Sequence, residues 1–335
     1  MKINKNIILF LLSILFLQCA KNILIINDEA LNISGDTSTL NLLTWNIEHF
    51  PKNDLTVEYL KDAIGLLKVD IIALQEIKSI TKLNQLTNQL GEEWISYRSP
   101  GNSDYGQLGY LINTNEITNI IEPFSLAPDT LKCQNYMYDV DSHPCQNSSI
   151  DDCDDENPDD TCYDNSYDFA WRMPYVLEFT YENQTFYIIN IHFKCCNSYG
   201  NEKKRRYQAT NYLDAYINDY YVNDNIIVMG DFNGNIDETV YINQTHNVFD
   251  SFLSSSYIFA DESVFLGDSQ LWSFPSYPSH IDHIILSDEI FNNPSIEYST
   301  STVLIENLYN QGFSEYNEYI SDHRPVLINL QLETN

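Results

Sequence analysis

The sequence predicts an α/β sandwich built as one large domain. Short apolar runs of strand length alternate with segments whose apolar residues recur at helical spacing. Two of the runs, PYVLEFTY and TFYIINIHF, meet as a hairpin across Glu182 and Asn183, so the sheets are not purely parallel. Of 335 residues, 43% are hydrophobic and 13% aromatic, which supplies a core of that size and excludes a wholly disordered chain. A mean hydropathy of −0.31 excludes a polytopic membrane protein.

The elements follow in order. Lys2 and Lys5 precede an apolar run over 7–17, broken only by Ser13. The run is about half of the ~20 residues that span a bilayer, so it reads as an export signal over 1–19. Cys19 follows in FLQC, a pattern similar to a bacterial lipobox except that Gln18 stands where a small residue is usual; Cys19 is therefore the candidate lipidation site. Residues 20–39, with NDE and SGDTST, form a tether, and the domain occupies 40–335. LNLLTWNI is a buried strand. VEYLKDAIGLLK carries Val57, Leu60, Ile64 and Leu67 on one helical face. DIIALQEI is a second buried strand and SITKLNQLTNQL a second helix. Strand signals recur over 107–113 and 117–124. The stretch 129–168 breaks the pattern, with four Cys, DDCDDENPDD and too few apolar residues for a core, and reads as an insertion. The hairpin comes next, then NEKKRRYQATNYLDAYINDYY as an amphipathic helix. NIIVMGDFN, IDHIILS and PVLINLQL are the last clear strands.

Export sets the chemistry of the cysteines. Beyond Cys19 they are Cys133, Cys145, Cys153, Cys162, Cys195 and Cys196, an even set that reads as disulfides; no CxxC pair supports zinc. Cys195 and Cys196 are adjacent, and a bond between neighbours forces the peptide out of its planar trans form. Each is therefore expected to reach a separate insertion cysteine, with Cys145 and Cys153 left to pair locally. The acidic run is also a candidate Ca²⁺ site, although EF-hand spacing is absent. A net charge of −31 argues against partners held by a general basic surface, and leaves open an enzyme that grips phosphate through a metal in one cleft. The basic run 203–206, KKRR, reads as a solvated helix start in preference to a nucleic-acid contact.

Polar residues mark where the strands stop. LLTW ends in Asn46, IIALQ in Glu76, YIINI in His192, and IIVMG in Asp231 and Asn233. Asp282 opens the strand in HIDHI, and Asp322 and His323 precede the last one in SDHRPV. Such groups converge on one rim of a sheet, where open α/β folds bind ligands. Carboxylates and an amide oxygen are hard ligands for Mg²⁺ or Mn²⁺, and the two His serve as acid, base or phosphate donor. Together they suit attack of water on a phosphoester. Trp45 reads as core, and His283 as structural because it alternates with Asp282 along the strand.

The ordered set TWN, LQE, NIHF, GDFN, IDHI and SDHRPV, spanning residues 42 to 330, resembles the endonuclease/exonuclease/phosphatase (DNase I-like) superfamily. The resemblance implies a four-layered sandwich, two mixed β-sheets packed face to face with flanking helices. It implies that Asn46 and Glu76 hold the metal, completed by Asp322. It makes His323 the catalytic His, oriented by Asp282, and gives Asp231 and Asn233 the water and phosphate. It makes His192 the second His and Arg172, in WRMP, a phosphate or structural contact. The family's active-site Tyr has only Tyr105 and Tyr110 as candidates. Aromatic residues in LWSFPSYPSH, with Tyr309, Phe313, Tyr316 and Tyr319, are candidates to line the cleft. The expected protein is an exported, Mg²⁺-dependent phosphodiesterase, monomeric, with no protein partner evident and nucleic acid favoured as substrate over phospholipid. A sphingomyelinase-type or inositol phosphate phosphodiesterase is the alternative, and a non-catalytic surface-binding lipoprotein the second.

Overall fold

The computed structural model describes residues 39–101, 106–126, 166–195, 201–240, 246–254 and 256–333. The export signal, the tether up to 38, the insertion up to 165 and every cysteine except Cys195 lie outside them. Among the described residues no helix is long and apolar enough to cross a membrane.

Among the described residues twelve strands form two six-stranded sheets. The first contains β1 (Leu40–Phe50), β2 (Ile71–Ile77), β3 (Trp94–Arg98), β4 (Gln107–Asn113), β11 (Ile296–Thr302) and β12 (Val326–Leu332), in the order β11-β12-β1-β2-β4-β3. The second contains β5 (Phe124–Ser125), β6 (Tyr175–Tyr181), β7 (Gln184–His192), β8 (Asn225–Asp231), β9 (Tyr257–Phe259) and β10 (Asp282–Ser287), in the order β5-β6-β7-β8-β10-β9. Each sheet is mixed, with one parallel pair, β1–β2 and β7–β8.

Strand alternation builds the layers. Along β1, Leu40 and Leu42 join the core between the sheets, while Leu43 and Trp45 pack on the other face. There they meet α1 (Thr56–Ile64), through Val57 and Leu60, and α2 (Ile80–Leu90), through Leu83 and Leu86. In β8, Ile227 and Met229 face the first sheet; Ile226 and Val228 face α3 (Glu202–Tyr220), which presents Ala209, Leu213 and Ile217 at four-residue spacing. Helix, sheet, sheet, helix is the four-layered arrangement the sequence implied. Each fully buried Leu or Ile contributes about 1.5–3 kcal/mol.

Local signals explain the boundaries. Ser79 caps α2 by accepting the Lys82 N–H at 3.2 Å. Glu182 (φ 46°) and Asn183 (φ 62°) make the hairpin turn, left-handed at both central positions as a right-twisted ladder requires. The signal over 117–124 yields only a bridge between Thr118 and Thr180 and the two-residue β5. Pro123 lacks the N–H that a longer ladder needs. The run at 203–206 is not simply solvated: Arg205 and Arg206 are buried. Arg206 donates to Glu238 Oε2 at 2.6 Å and to the Lys194 carbonyl at 2.7 Å. Arg205 lies 3.8 Å above the Tyr167 ring. Fixed acceptors and a π face replace water around both guanidiniums.

One buried carboxylate makes stability depend on pH. Asp70 accepts the Asn41 N–H at 2.8 Å, yet burial pushes its pKa up to about 6. Between the ordinary carboxylate value and about 6 the folded chain binds more protons than the unfolded one, so stability falls as pH rises through that window. Asp70→Asn keeps the acceptor and removes the charge. Its melting temperature should match the parent below the window and exceed it at pH 7 by a few degrees, on the order expected for about 1 kcal/mol. An equal offset at both pH values refutes this.

Candidate active site

Two neighbouring strands of the first sheet bring Asn46 and Glu76 together. Asn46 Nδ2 donates to Asp231 Oδ2 at 2.9 Å and to Glu76 Oε1 at 3.3 Å, while its Oδ1 accepts the Glu48 N–H at 3.0 Å. Beyond Asn46, β1 departs from regular pairing, and Glu48 and His49 take positive φ of 32° and 55°. That twist delivers the His49 N–H to Glu76 Oε2 at 2.9 Å and its ring Nδ1 to the same oxygen at 2.8 Å. Glu76 itself has φ 66°, and Gly106 packs on its backbone: a Cβ on Gly106 would sit 2.4 Å from the Glu76 carbonyl carbon.

Three adjacent strands of the second sheet supply a row. His192 on β7 pairs with Asp231 on β8, and Asp231 pairs with Asp282 on β10. His192 Nε2 lies 3.3 Å from Asp231 Oδ2. Asn233, at φ 54° in the turn after β8, donates its N–H to Asp231 Oδ1 at 2.9 Å and its side-chain amide to the Phe193 carbonyl at 3.1 Å. Gly230 permits the close approach of β7 and β8: its φ is 153°, and a Cβ would lie 2.0 Å from the Ile191 carbonyl oxygen.

The loop before β12 completes the site. His323 Nδ1 lies 2.8 Å from Asp282 Oδ2, the contact expected across 41 positions. Its Nε2 is 4.0 Å from Asp231 Oδ2 and 3.9 Å from Asp322 Oδ1. Ser321 ties this loop to β1 by donating to the Asn46 carbonyl at 2.6 Å and accepting the His323 N–H at 2.9 Å. The Asp322 N–H reaches Glu48 Oε2 at 3.0 Å. Behind the loop, the buried Tyr316 hydroxyl donates to the His323 carbonyl and accepts the Trp45 indole N–H at 3.0 Å.

Crowded carboxylates shape the protonation states. Burial, then the neighbouring Asp282 charge, pushes Asp231 up to about 7. Burial opposes protonation of His323, but the charge and hydrogen bond of Asp282, followed by Asp231 and Asp322, raise it to about 10. Burial and the Arg172 charge hold His192 well below its ordinary value, so its ring is neutral near pH 7.

Some sequence expectations meet a different environment. Arg172 is 4% exposed and donates to the carbonyls of His192 at 3.1 Å and Phe193 at 2.9 Å, which supports the structural half of its expected role. Tyr110 is core: its hydroxyl donates to the Tyr175 carbonyl at 2.6 Å and accepts the Asn190 N–H at 3.1 Å. Tyr105 and Cys196 lie outside the described residues, and Cys195 is half-buried beyond the end of β7. Tyr316 is an anchor under the site instead of a cleft wall, whereas the Phe274 ring lies 4.9 Å from that of His323. Sequence reading missed Glu48, His49 and Ser321. The signals were two further polar residues, Glu48 and His49, directly after TWNI, and the place of Ser321 at the head of SDHRPV.

The sequence profile of the endonuclease/exonuclease/phosphatase family matches residues 43–323. The chain belongs to that family. No curated protein matches at a significant level. Solved structures show the same fold at low identity. The D. rerio TDP2 complexed with single strand DNA product is 12% identical with a TM-score of 0.58, covering 88% of this chain and 99% of that one. The human Nocturnin catalytic domain with bound sulfate anion is 15% identical with a TM-score of 0.55, covering 90% and 97%. An endonuclease/exonuclease/phosphatase family protein from Bacteroides thetaiotaomicron is 16% identical with a TM-score of 0.53, covering 88% and 98%. The fold is thus that of phosphoester hydrolases that generally use a divalent metal.

Proposed function

We propose that this family member is an exported phosphodiesterase that hydrolyses nucleic acid with Mg²⁺ or Mn²⁺. The observation that carries the reading is the His323–Asp282 pair beside Asp231, on a row that also holds His192. The donor set fits a hard dication: Glu76 and Asp322 offer carboxylate oxygens, and Asp282 Oδ1, buried beside Asp231, has no hydrogen-bond partner among the described residues. Glu76 would hold the cation, with Asp322 completing the set, and Asn46 would join them by turning its amide oxygen, which here accepts the Glu48 N–H, toward Glu76. A cation bound there neutralises charge on the scissile phosphate. The rest is done by the chain. Asp282 fixes the His323 ring so that Nε2 faces the cleft. Asp231 takes the proton from water, and His323, protonated near pH 7, gives its Nε2 proton to the leaving oxygen and is recharged from Asp231, 4.0 Å away. Asn233 and His192 donate to phosphoryl oxygens, and Arg172 holds the end of β7 on which His192 sits.

The DNA-bound zebrafish relative supports nucleic acid as the substrate class. A specific observation favours the phospholipid reading as second: Trp171 and Tyr277, 61% and 78% exposed, belong to the loops that carry Arg172 and Phe274. A panel of linear DNA, RNA, sphingomyelin and inositol phosphates, each with Mg²⁺ and with EDTA, tests the reading. Metal-dependent cleavage of DNA or RNA supports it; cleavage of sphingomyelin alone transfers the site to the second reading; no cleavage refutes both.

The cysteine expectation belongs to the same proposal. Leu126 and Arg172, which flank the insertion, lie at the His192 edge of the second sheet: the Leu126 N–H reaches the Pro174 carbonyl at 2.9 Å. Non-reducing peptide mapping of the exported protein should join Cys195 and Cys196 to separate cysteines of 129–168. A thiol at either, or a bond between the two, overturns the clamp.

A further inference from the structure

A second acid–histidine cluster lies behind the row. Asp261, His280 and His283 are fully buried, with ligand-type atoms within 4.8 Å of one another. Asp261 Oδ2 lies 2.8 Å from His280 Nε2 and 2.7 Å from His283 Nδ1, and its Oδ1 accepts the Ile284 N–H at 2.8 Å. His283 Nε2 lies 2.9 Å from the Gly234 carbonyl oxygen.

The partners dictate the protons. A carbonyl oxygen only accepts, and so does an ionised carboxylate, so His283 needs a proton on each ring nitrogen. His280 differs: its Nδ1 accepts the Ser273 N–H at 3.3 Å, which places its single proton on Nε2, toward Asp261. A nitrogen carrying that proton has no lone pair for a metal, so the cluster reads as an ion pair. The rings of Phe232, Phe249 and Phe259 lie 5.4, 6.4 and 5.3 Å from that of His283 and help to exclude water from it.

The clamp joins two catalytic segments. Gly234 lies in the turn that follows Asp231 and carries Asn233, and the His280 N–H also grips Asn235 Oδ1 at 3.0 Å in that turn. His283 follows Asp282, the partner of His323. We infer that His283 is a permanently protonated positioning residue, an imidazolium balanced by Asp261, that pins the turn bearing Asp231 and Asn233 to the strand bearing Asp282. Against the cost of burial, the Asp261 charge and hydrogen bond, the Gly234 carbonyl and the Asp282 charge all raise His283, and His283 and His280 in turn hold Asp261 below the usual carboxylate range.

Imidazole ¹⁵N NMR of the full chain tests this, with His283→Gln to assign the signal. The unmutated protein should show two histidines with both ring nitrogens protonated from pH 6 to beyond 8, His323 and His283, and His283→Gln should remove one of them, the one whose ring N–H protons exchange slowly. A bare nitrogen on His283, or metal analysis finding one equivalent of zinc bound at this cluster, overturns the inference. The kinetic arm rests on the phosphodiesterase reading: folded Asp261→Asn should lose kcat by about 10–100-fold with KM little changed, as expected for catalytic groups displaced by about 1 Å. Unchanged kcat, or a loss confined to KM, refutes the positioning role. If the unmutated protein has no phosphodiesterase activity, that reading fails, while the NMR result on the same sample still decides the charge on His283.

Discussion

His323→Ala is expected to lower kcat by about 10³-fold while the protein keeps its fold. The ring divides the work of its two nitrogens, Nδ1 on Asp282 at 2.8 Å and Nε2 toward Asp231 at 4.0 Å. Truncation removes proton transfer and leaves Asp282 buried without its partner. Backbone anchoring survives, because Tyr316 and Ser321 hold His323 through its carbonyl and N–H. Asp282→Asn should cost a comparable factor by presenting an amide N–H or a weaker acceptor to Nδ1. Single-turnover kinetics on the substrate that the panel identifies provides the measurement. A loss below tenfold in a folded His323→Ala would remove the ring from proton transfer.

Glu76→Gln is the second large effect, on the order of 10²–10³-fold in activity at fixed metal. The substitution keeps size and one acceptor but deletes the charge that the cation would meet. Both oxygens are engaged, Oε1 by the Asn46 amide and Oε2 by His49, so the side chain is positioned before metal arrives. Calorimetric titration with Mg²⁺ and with Mn²⁺ should show weakened binding. Equal affinity in parent and variant would move the metal away from Glu76.

Much of this site was legible because buried strands leave few reasons for a polar end. His192, Asp231 and Asp282 each terminate or open such a strand and sheet register alone brings them together, while Asn46 and Glu76 stand where the regular pairing of β1 and β2 breaks. The hairpin at Glu182 and Asn183 was legible from its turn length. What escaped notice lacked a local pattern. IEYSTST of β11 is a polar edge strand without clean alternation, and WISYR of β3 buries only Trp94 fully. Arg205 and Arg206 looked like a solvated run because charge on a helix start ordinarily is; their burial depends on acceptors distant in sequence, such as Glu238. Asp261 passed unnoticed in a turn, because its histidine partners follow 19 and 22 positions later.

The row formed by His192, Asp231 and Asp282 sets how the chain tolerates changes of length. Successive residues of a strand point to opposite faces, so deleting one residue within β8 would send Asp231 to the helix side and Val228 or its neighbours toward the wrong layer. Added chain in a connection shifts no rung. The described strands bracket such connections at 126–166 and 195–201, so growth there leaves the row intact. Evolution is thus free to lengthen these connections, whereas the strands behave like the fixed frame of a reading code. A ten-residue excision inside 129–165 should cost less activity than the loss of any one residue between 225 and 231.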